Sequence, residues 1–120
     1  MGLSSESVAR LVADQLENFR VPAARELLRR RLVAPRREDR IWESSYPEHT
    51  IECWMVADLD EGLGLAYSIA AHQLDRPWGV VYTGVNDDCG PDFCWHALLE
   101  DAYIGSGQFN GPLPDGYYIE

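Results

Sequence analysis

The residue types that bind zinc occur close together in the second half of the chain. Cys89, Cys94 and His96 lie within eight positions of one another, and Cys53 or His72 could join them from the predicted sheet region. Structural zinc sites, however, usually place two cysteines about two to four residues apart on a tight turn. Here Cys94 falls inside a predicted helix, so we interpret Cys53 and Cys94 as small core residues and His96 as an exposed helix residue. We therefore predict no metal site.

Asp58 and Asp60 are spaced like the first ligands of a calcium loop, because alternating carboxylates can converge on a hard cation. Leu63 stands where such a loop needs its turning glycine, and no helical pattern flanks the segment. We interpret residues 58–62 as a solvated hairpin loop.

Nucleophilic catalysis requires a Cys or Ser close to a His and an orienting acid. Cys89, His72 and Asp75 supply these types, but their spacing does not favour assembly, and the G-x-S-x-G, H-E-x-x-H and P-loop motifs are missing from the sequence. The sequence favours a protein that is not an enzyme and has no cofactor. A cysteine-dependent enzyme stays an alternative.

The net charge of −10 is distributed unevenly along the chain. Residues 1–40 hold nine arginines and six acids, a net charge of +3, whereas residues 41–120 hold one arginine and fourteen acids, a net charge of −13. This field favours a basic partner and repels nucleic acid, although acidity can also simply keep a small protein soluble.

Eight arginines fall between Arg20 and Arg40, which raises the hypothesis of nucleic-acid binding. The cluster contains no aromatic residue for stacking on bases. Glu26 is expected to face Arg30 one helical turn on. We predict no nucleic-acid binding, and two interpretations stay open: the arginines pair with acids of the second half, or they are solvated.

The first third of the chain is predicted to be helical. Ser4 and Ser5 can cap a helix whose apolar residues follow a 3.6-residue period as far as Phe19. Pro22 suits the first turn of a second helix, which Pro35 stops.

The middle of the chain is predicted to form an antiparallel sheet, because apolar residues alternate and turn residues separate the runs. Large residues share one face, which is either core covered by helices or an exposed partner surface. Strands are predicted over residues 40–43, 51–57, 63–70 and 78–83.

The end of the chain is predicted to contain a third helix that begins at Asp92, includes Trp95 and ends near Gly105. Residues 117–119 are expected to dock as an edge strand or to cover a sheet edge. The predicted fold class is α+β, with two N-terminal helices, a three- to four-stranded antiparallel meander and a C-terminal helix packed on one sheet face. We expect a single domain with a helical part (1–36), a sheet (37–85), and a loop, helix and tail (86–120).

Three cysteines, no apolar run of membrane length and no basic-then-apolar leader predict a cytoplasmic protein with reduced thiols and no membrane partner.

Several short segments between residues 40 and 105 form a recognisable pattern: Cys53-Trp54-x-Val56-Ala57, Gly64-Leu65-Ala66-Tyr67, Arg76-Pro77-Trp78-Gly79-Val80-Val81, Trp95 and Leu99-Glu100-Asp101-Ala102. On these segments, residues 40–105 resemble a group of small, uncharacterised bacterial cytosolic proteins, and this family carries no catalytic residues that could be transferred. In architecture and acidity the chain is also similar to immunity proteins of bacterial toxin systems.

The leading hypothesis is a non-enzymatic protein-binding module, in its specific form an immunity-type inhibitor that docks an acidic surface on a basic partner. One alternative is a small-molecule-binding protein or enzyme that uses the aromatic sheet face and the Cys89–His96 loop. Another is a homodimeric structural protein, joined through the sheet edge or the aromatic face. The predicted partner-binding residues are Asp58, Asp60, Glu61, Asp87, Asp88 and Asp92, with Trp54 and Trp78 as anchors if they are exposed.

Overall fold

The computed structural model describes residues 3–41, 50–69, 75–83, 95–117 and 119. Its strands pair in sequence order into one antiparallel sheet, β1-β2-β3-β4-β5. The predicted α+β class, with helices before and after an antiparallel meander, is confirmed. The elements are α1 (Ser5–Glu17), α2 (Pro22–Arg29), β1 (Leu32–Ile41), β2 (Thr50–Asp58), β3 (Leu63–Tyr67), β4 (Trp78–Tyr82), β5 (Trp95–His96) and α3 (Leu99–Gly105).

The first helix forms as predicted, with a capping box at its start. The amide of Ser7 donates to Ser4 Oγ at 3.1 Å, and the amide of Ser4 donates to Ser7 Oγ at 2.8 Å. Val8, Val12 and Leu16 are one turn apart and buried, so this stripe packs on the sheet.

The second helix is shorter than predicted, because the chain enters an edge strand well before Pro35. Helix α2 ends at Arg29 and β1 begins at Leu32. Pro35 lies where the register between β1 and β2 shifts, and a proline is tolerated in an edge strand at such an irregularity. Of the predicted strand 40–43, residues 40 and 41 form the end of β1, and residues 42 and 43 lie outside the described residues.

The third helix begins later than predicted, because residues 95 and 96 form a strand. Trp95 pairs with Gly79, and His96 pairs with Trp78. Gly79 makes room for the indole: a Cβ at this position would come about 2.5 Å from the ring of Trp95. Asp92, the predicted cap, lies outside the described residues.

Within the described residues the sheet has five strands rather than three or four. Residues 117 and 119, expected in an edge strand, belong to no strand. None of the described helices is long and apolar enough to cross a membrane.

The helices cover the aromatic face of the sheet, which is therefore core. Trp54 is 8% exposed and Trp78 is 2% exposed, and both pack in one cluster with residues of all three helices. The opposite face holds a second buried cluster of Cys53, Met55, Ala66, Val81 and Trp95.

Candidate functional site

The predicted hairpin loop is a tight turn between β2 and β3. The amide of Leu59 donates to the carbonyl of Leu63 at 2.9 Å. Glu61 and Gly62 have φ angles of 64° and 73°, in the left-handed region that tight hairpin connections require.

Hydrogen bonds to three other segments fix this turn in place. Because these bonds come from three separate parts of the chain, the turn is part of the packed structure and not a free loop tip. The bonds run from the Asp58 amide to the Arg31 carbonyl (3.1 Å), from the Thr83 amide to the Gly62 carbonyl (2.8 Å) and from the Asp60 amide to Gln108 Oε1 (3.2 Å).

Two of the three carboxylates of the turn are held by arginines. Arg31 Nη2 lies 2.6 Å from Asp60 Oδ1, and Arg36 Nη2 lies 3.6 Å from Asp58 Oδ1. A hydrogen bond to Glu38, together with the charge of Asp58, raises the pKa of the Arg36 guanidinium despite partial burial. The side chains of Asp58 and Asp60 are 55% and 63% exposed, so they still face solvent.

Glu61 differs from its two neighbours in the turn. It is exposed, and it forms no ion pair within the described part of the chain. Among the described residues, no cation therefore compensates its charge.

The arginines of the first third pair with acids of the sheet half, as one of the two interpretations proposed. In the described part of residues 41–120, five of eight acids lie within 4.0 Å of an arginine from residues 1–40. The contrast between +3 and −13 is thus partly neutralised inside the fold. The five acids are Glu52, Asp58, Asp60, Glu100 and Asp101.

A cavity of about 250 Å³ opens beside the turn, between the end of α2 and the end of α3. Leu27 is 42% exposed at the edge of this cavity, whereas Leu28 is fully buried. The residues that line the cavity are Leu27, Arg30, Arg31, Leu59, Asp60, Tyr103 and Gln108.

Tyr103 lines this cavity and carries a phenol hydroxyl. Burial raises the pKa of its phenol, the nearby charge of Arg31 lowers it, and the charge of Asp60 raises it, with a net increase. The phenol therefore keeps its proton at neutral pH. Its hydroxyl makes no hydrogen bond to another described residue.

A second charged cluster joins α2 to α3 and has a structural role. Glu100 is 2% exposed and accepts hydrogen bonds from the amides of Arg20 (2.7 Å) and Val21 (2.9 Å). Val21, the N-cap of α2, has no side-chain cap of its own, and Glu100 satisfies its backbone amide, one of the donors left without a partner at the helix start. Arg20 also contacts Asp101 at 3.1 Å, and Tyr117 donates to Asp101 Oδ1 at 2.7 Å.

The other predicted site residues are not brought together at the turn. Trp54 and Trp78 are buried, so the exposure on which their role as anchors depended is not met. Asp87, Asp88 and Asp92 lie outside the described residues.

The residues considered for metal binding and catalysis fall in several places. Cys53 is fully buried in the second cluster, as predicted. His96 was predicted to be an exposed helix residue, which is wrong: it lies in β5 and is 8% exposed. Among the described residues, no group of three or more His, Cys, Asp or Glu side chains could hold a metal ion. Cys89, Cys94 and His72 lie outside the described residues.

Comparison of the chain with protein-family models, with curated proteins and with solved structures gives no match.

Proposed function

We propose that this protein is a non-enzymatic protein-binding module that receives a basic segment of its partner at the β2–β3 turn. The observation that carries the proposal is a turn of fixed geometry that presents three exposed carboxylates, those of Asp58, Asp60 and Glu61.

Fixed geometry matters because binding is weakened by the ordering of loops and long side chains. Arg31 and Arg36 already hold two of the carboxylates at the turn. A lysine or arginine of the partner can then be added to an existing charge network with little further ordering.

Long-range attraction comes from the remaining charge. Arg31 and Arg36 offset most of the charge at the turn, so Glu61 and the net charge of −10 supply the attraction for a basic surface. Such attraction accelerates encounter and selects the partner, and salt weakens it.

The apolar contacts come from Leu27, which is 42% exposed at the edge of the cavity beside the turn, and not from the tryptophans. Apolar contacts beside charged groups are the usual arrangement of a protein interface. The proposed surface also includes Asp87, Asp88 and Asp92, as the sequence predicts. In its specific form, the proposed function is that of an immunity-type inhibitor.

The test compares two charge reversals of equal size. Glu61→Lys changes the turn, and Glu17→Lys changes an exposed glutamate of α1; neither residue forms an ion pair within the described part of the chain. Wild type, Glu61→Lys and Glu17→Lys are each used to capture proteins from the source cells at low and high salt. We expect a basic protein that wild type and Glu17→Lys retain, that Glu61→Lys retains about tenfold less, and that high salt releases.

Equal retention of that protein by Glu61→Lys and Glu17→Lys would contradict docking at the turn. Failure of wild type to retain any protein at low salt would contradict the binding function itself.

A further inference from the structure

We propose that the cavity beside the turn binds a carboxylate anion carried on a short apolar stem. This inference goes beyond the proposed function, because it concerns an anion and the donors of the cavity, and not a basic segment and the acids of the turn.

Arg30 provides the first donor of the cavity. Its expected partner, Glu26, lies instead 3.9 Å from Arg25 and 4.0 Å from Arg29. Within the described residues Arg30 forms no ion pair, and its side chain lines the cavity. A guanidinium presents a planar fork of donors that matches the two oxygens of a carboxylate.

The other polar groups of the cavity leave donors in excess. Arg31 carries a second guanidinium, of which one nitrogen bonds to Asp60 Oδ1 at 2.6 Å. The Gln108 amide faces the backbone of Asp60: its oxygen accepts from the Asp60 amide, and one of its two N–H groups donates to the Asp60 carbonyl. Tyr103 adds a hydroxyl donor. With two guanidinium groups and one carboxylate, the cavity carries a net positive charge and favours an anion.

Size and lining select the rest of the ligand. A volume of about 250 Å³ lies below the range of about 300 to 1,000 Å³ that is typical for drug-sized ligands. It suits a small acid or a single terminal residue of a peptide. Leu27 and Leu59 provide apolar surface for the stem.

The probe for this site is sodium butyrate, a carboxylate on a short apolar chain, titrated into isotopically labelled full-length protein and followed by NMR. Sodium chloride at equal ionic strength and neutral n-butanol serve as reference titrations. We expect saturable shifts of the Leu59, Asp60 and Gln108 amides with butyrate alone. Arg30→Ala is expected to weaken butyrate binding about tenfold, because a charge-assisted hydrogen bond is lost.

Three further variants separate the site from general charge effects. Arg29→Ala removes the same charge from the neighbouring position, the last residue of α2, which does not line the cavity, and we expect unchanged binding. Tyr103→Phe is expected to weaken binding severalfold. Asp60→Asn is expected to strengthen it, because a competing carboxylate is removed and Arg31 is released.

Butanol shifts equal to those of butyrate would overturn the proposal, as would equal affinities of Arg30→Ala and Arg29→Ala. Asp60→Asn also keeps the two proposals distinct, because it removes a carboxylate needed for the basic partner while favouring the anion. Weaker capture of the basic partner together with tighter binding of butyrate by Asp60→Asn supports both proposals. Either result can fail without the other, so the two proposals are tested separately.

A final pair of probes identifies the source of the carboxylate. A short peptide that ends in leucine with a free carboxylate is compared with the same peptide ending in an amide. Tighter binding of the free acid than of butyrate assigns the site to a protein C-terminus, and weaker binding assigns it to a small free acid. Equal binding of the acid and the amide would contradict carboxylate recognition by this cavity.

Discussion

At the level of single residues, burial decides which charges are structural and which can take part in binding. Glu100 and Asp101 are 2% and 1% exposed, and Arg20 is their shared cation. Burial alone would lower the pKa of Arg20, but its hydrogen bond to Glu100 and the surrounding negative charges raise it. Glu61, by contrast, is exposed and without an ion pair in the described structure.

Removal of Arg20 should therefore destabilise the fold. Arg20→Met leaves two buried carboxylates without their cation, and we expect a loss of about 2 to 3 kcal/mol in the free energy of unfolding. This is less than for a fully buried pair, because the Arg20 side chain is 47% exposed. The measurement is urea unfolding, with Arg10→Met, an exposed arginine of α1, as control. Equal effects of the two variants would contradict the structural role of Arg20.

Tyr117 makes the stability of the fold decrease with pH in the alkaline range. Burial raises the pKa of its phenol, and the hydrogen bond to Asp101 raises it further. The folded state therefore holds this proton more tightly than the unfolded state, whose tyrosines have an ordinary pKa of about 10. The contribution to stability is complete below that pH, and it is lost as pH rises from there through the folded-state pKa.

We accordingly expect the free energy of unfolding of wild type to fall as the pH rises above about 10. Tyr117→Phe should make this fall less steep but not abolish it, because burial also raises the pKa values of Tyr67 and Tyr103. Tyr82→Phe, at a residue that is 45% exposed, is the matched control. A slope for Tyr117→Phe that equals the slope of wild type would disprove this linkage.

At the level of elements, hydrophobic periodicity correctly predicted the helix and strands whose apolar residues recur with the period of their secondary structure. Helix α1 and strands β2 to β4 belong to this group. Strand β1 was missed because it contains Pro35 and five consecutive charged residues, 36–40, in place of alternating apolar ones. These residues form a strand because they pair with β2, which supplies both backbone partners and carboxylates.

The same charges affect how the sheet edge can be used. Charged residues on an edge strand, including inward-pointing ones, disfavour pairing with a second sheet. Arg40 is 3% exposed and donates to the carbonyl of Tyr82 at 2.6 Å. The aromatic face is covered by helices. These two features therefore disfavour a homodimer joined through the β1 edge or through the aromatic face.

The β4–β5 pairing depends on a glycine. Gly79→Ala would bring a Cβ to about 2.5 Å from the Trp95 ring, so the buried indole must shift, and we expect a loss of about 1 to 3 kcal/mol in the free energy of unfolding. Near-ultraviolet circular dichroism should change as well. Gly62→Ala, with φ +73° and no atom within 4 Å, should cost about 1 kcal/mol through backbone strain and leave that spectrum unchanged. An unchanged spectrum in Gly79→Ala would contradict the packing of Trp95 on Gly79.

At the level of the whole molecule, the charge asymmetry along the chain serves the fold as well as any partner. Arginines of the first third lie against acids of the sheet half, so a count along the sequence overstates the free negative charge. Which acids stay uncompensated depends on contacts between distant segments, and no local pattern reports such contacts.

The candidate site was predictable only in part, because it too depends on contacts between distant segments of the chain. The acids of the turn were visible because Asp and Gly mark a hairpin connection. The cavity was not, because its lining comes from α2, the residues after it, the β2–β3 turn, α3 and Gln108. Trp54 and Trp78 were recognised as major apolar residues, but alternation alone does not show which sheet face the helices cover.

The most direct test of the central claim is a map of the contacts between this protein and its captured basic partner. Carbodiimide coupling joins a carboxylate to a lysine amine that it touches, and mass spectrometry then locates the joined residues. We predict links from partner lysines to Asp58, Asp60 or Glu61 in the β2–β3 turn. Links confined to the acids of α1 (Glu6, Asp14 and Glu17), with none to the turn, would contradict the proposed function.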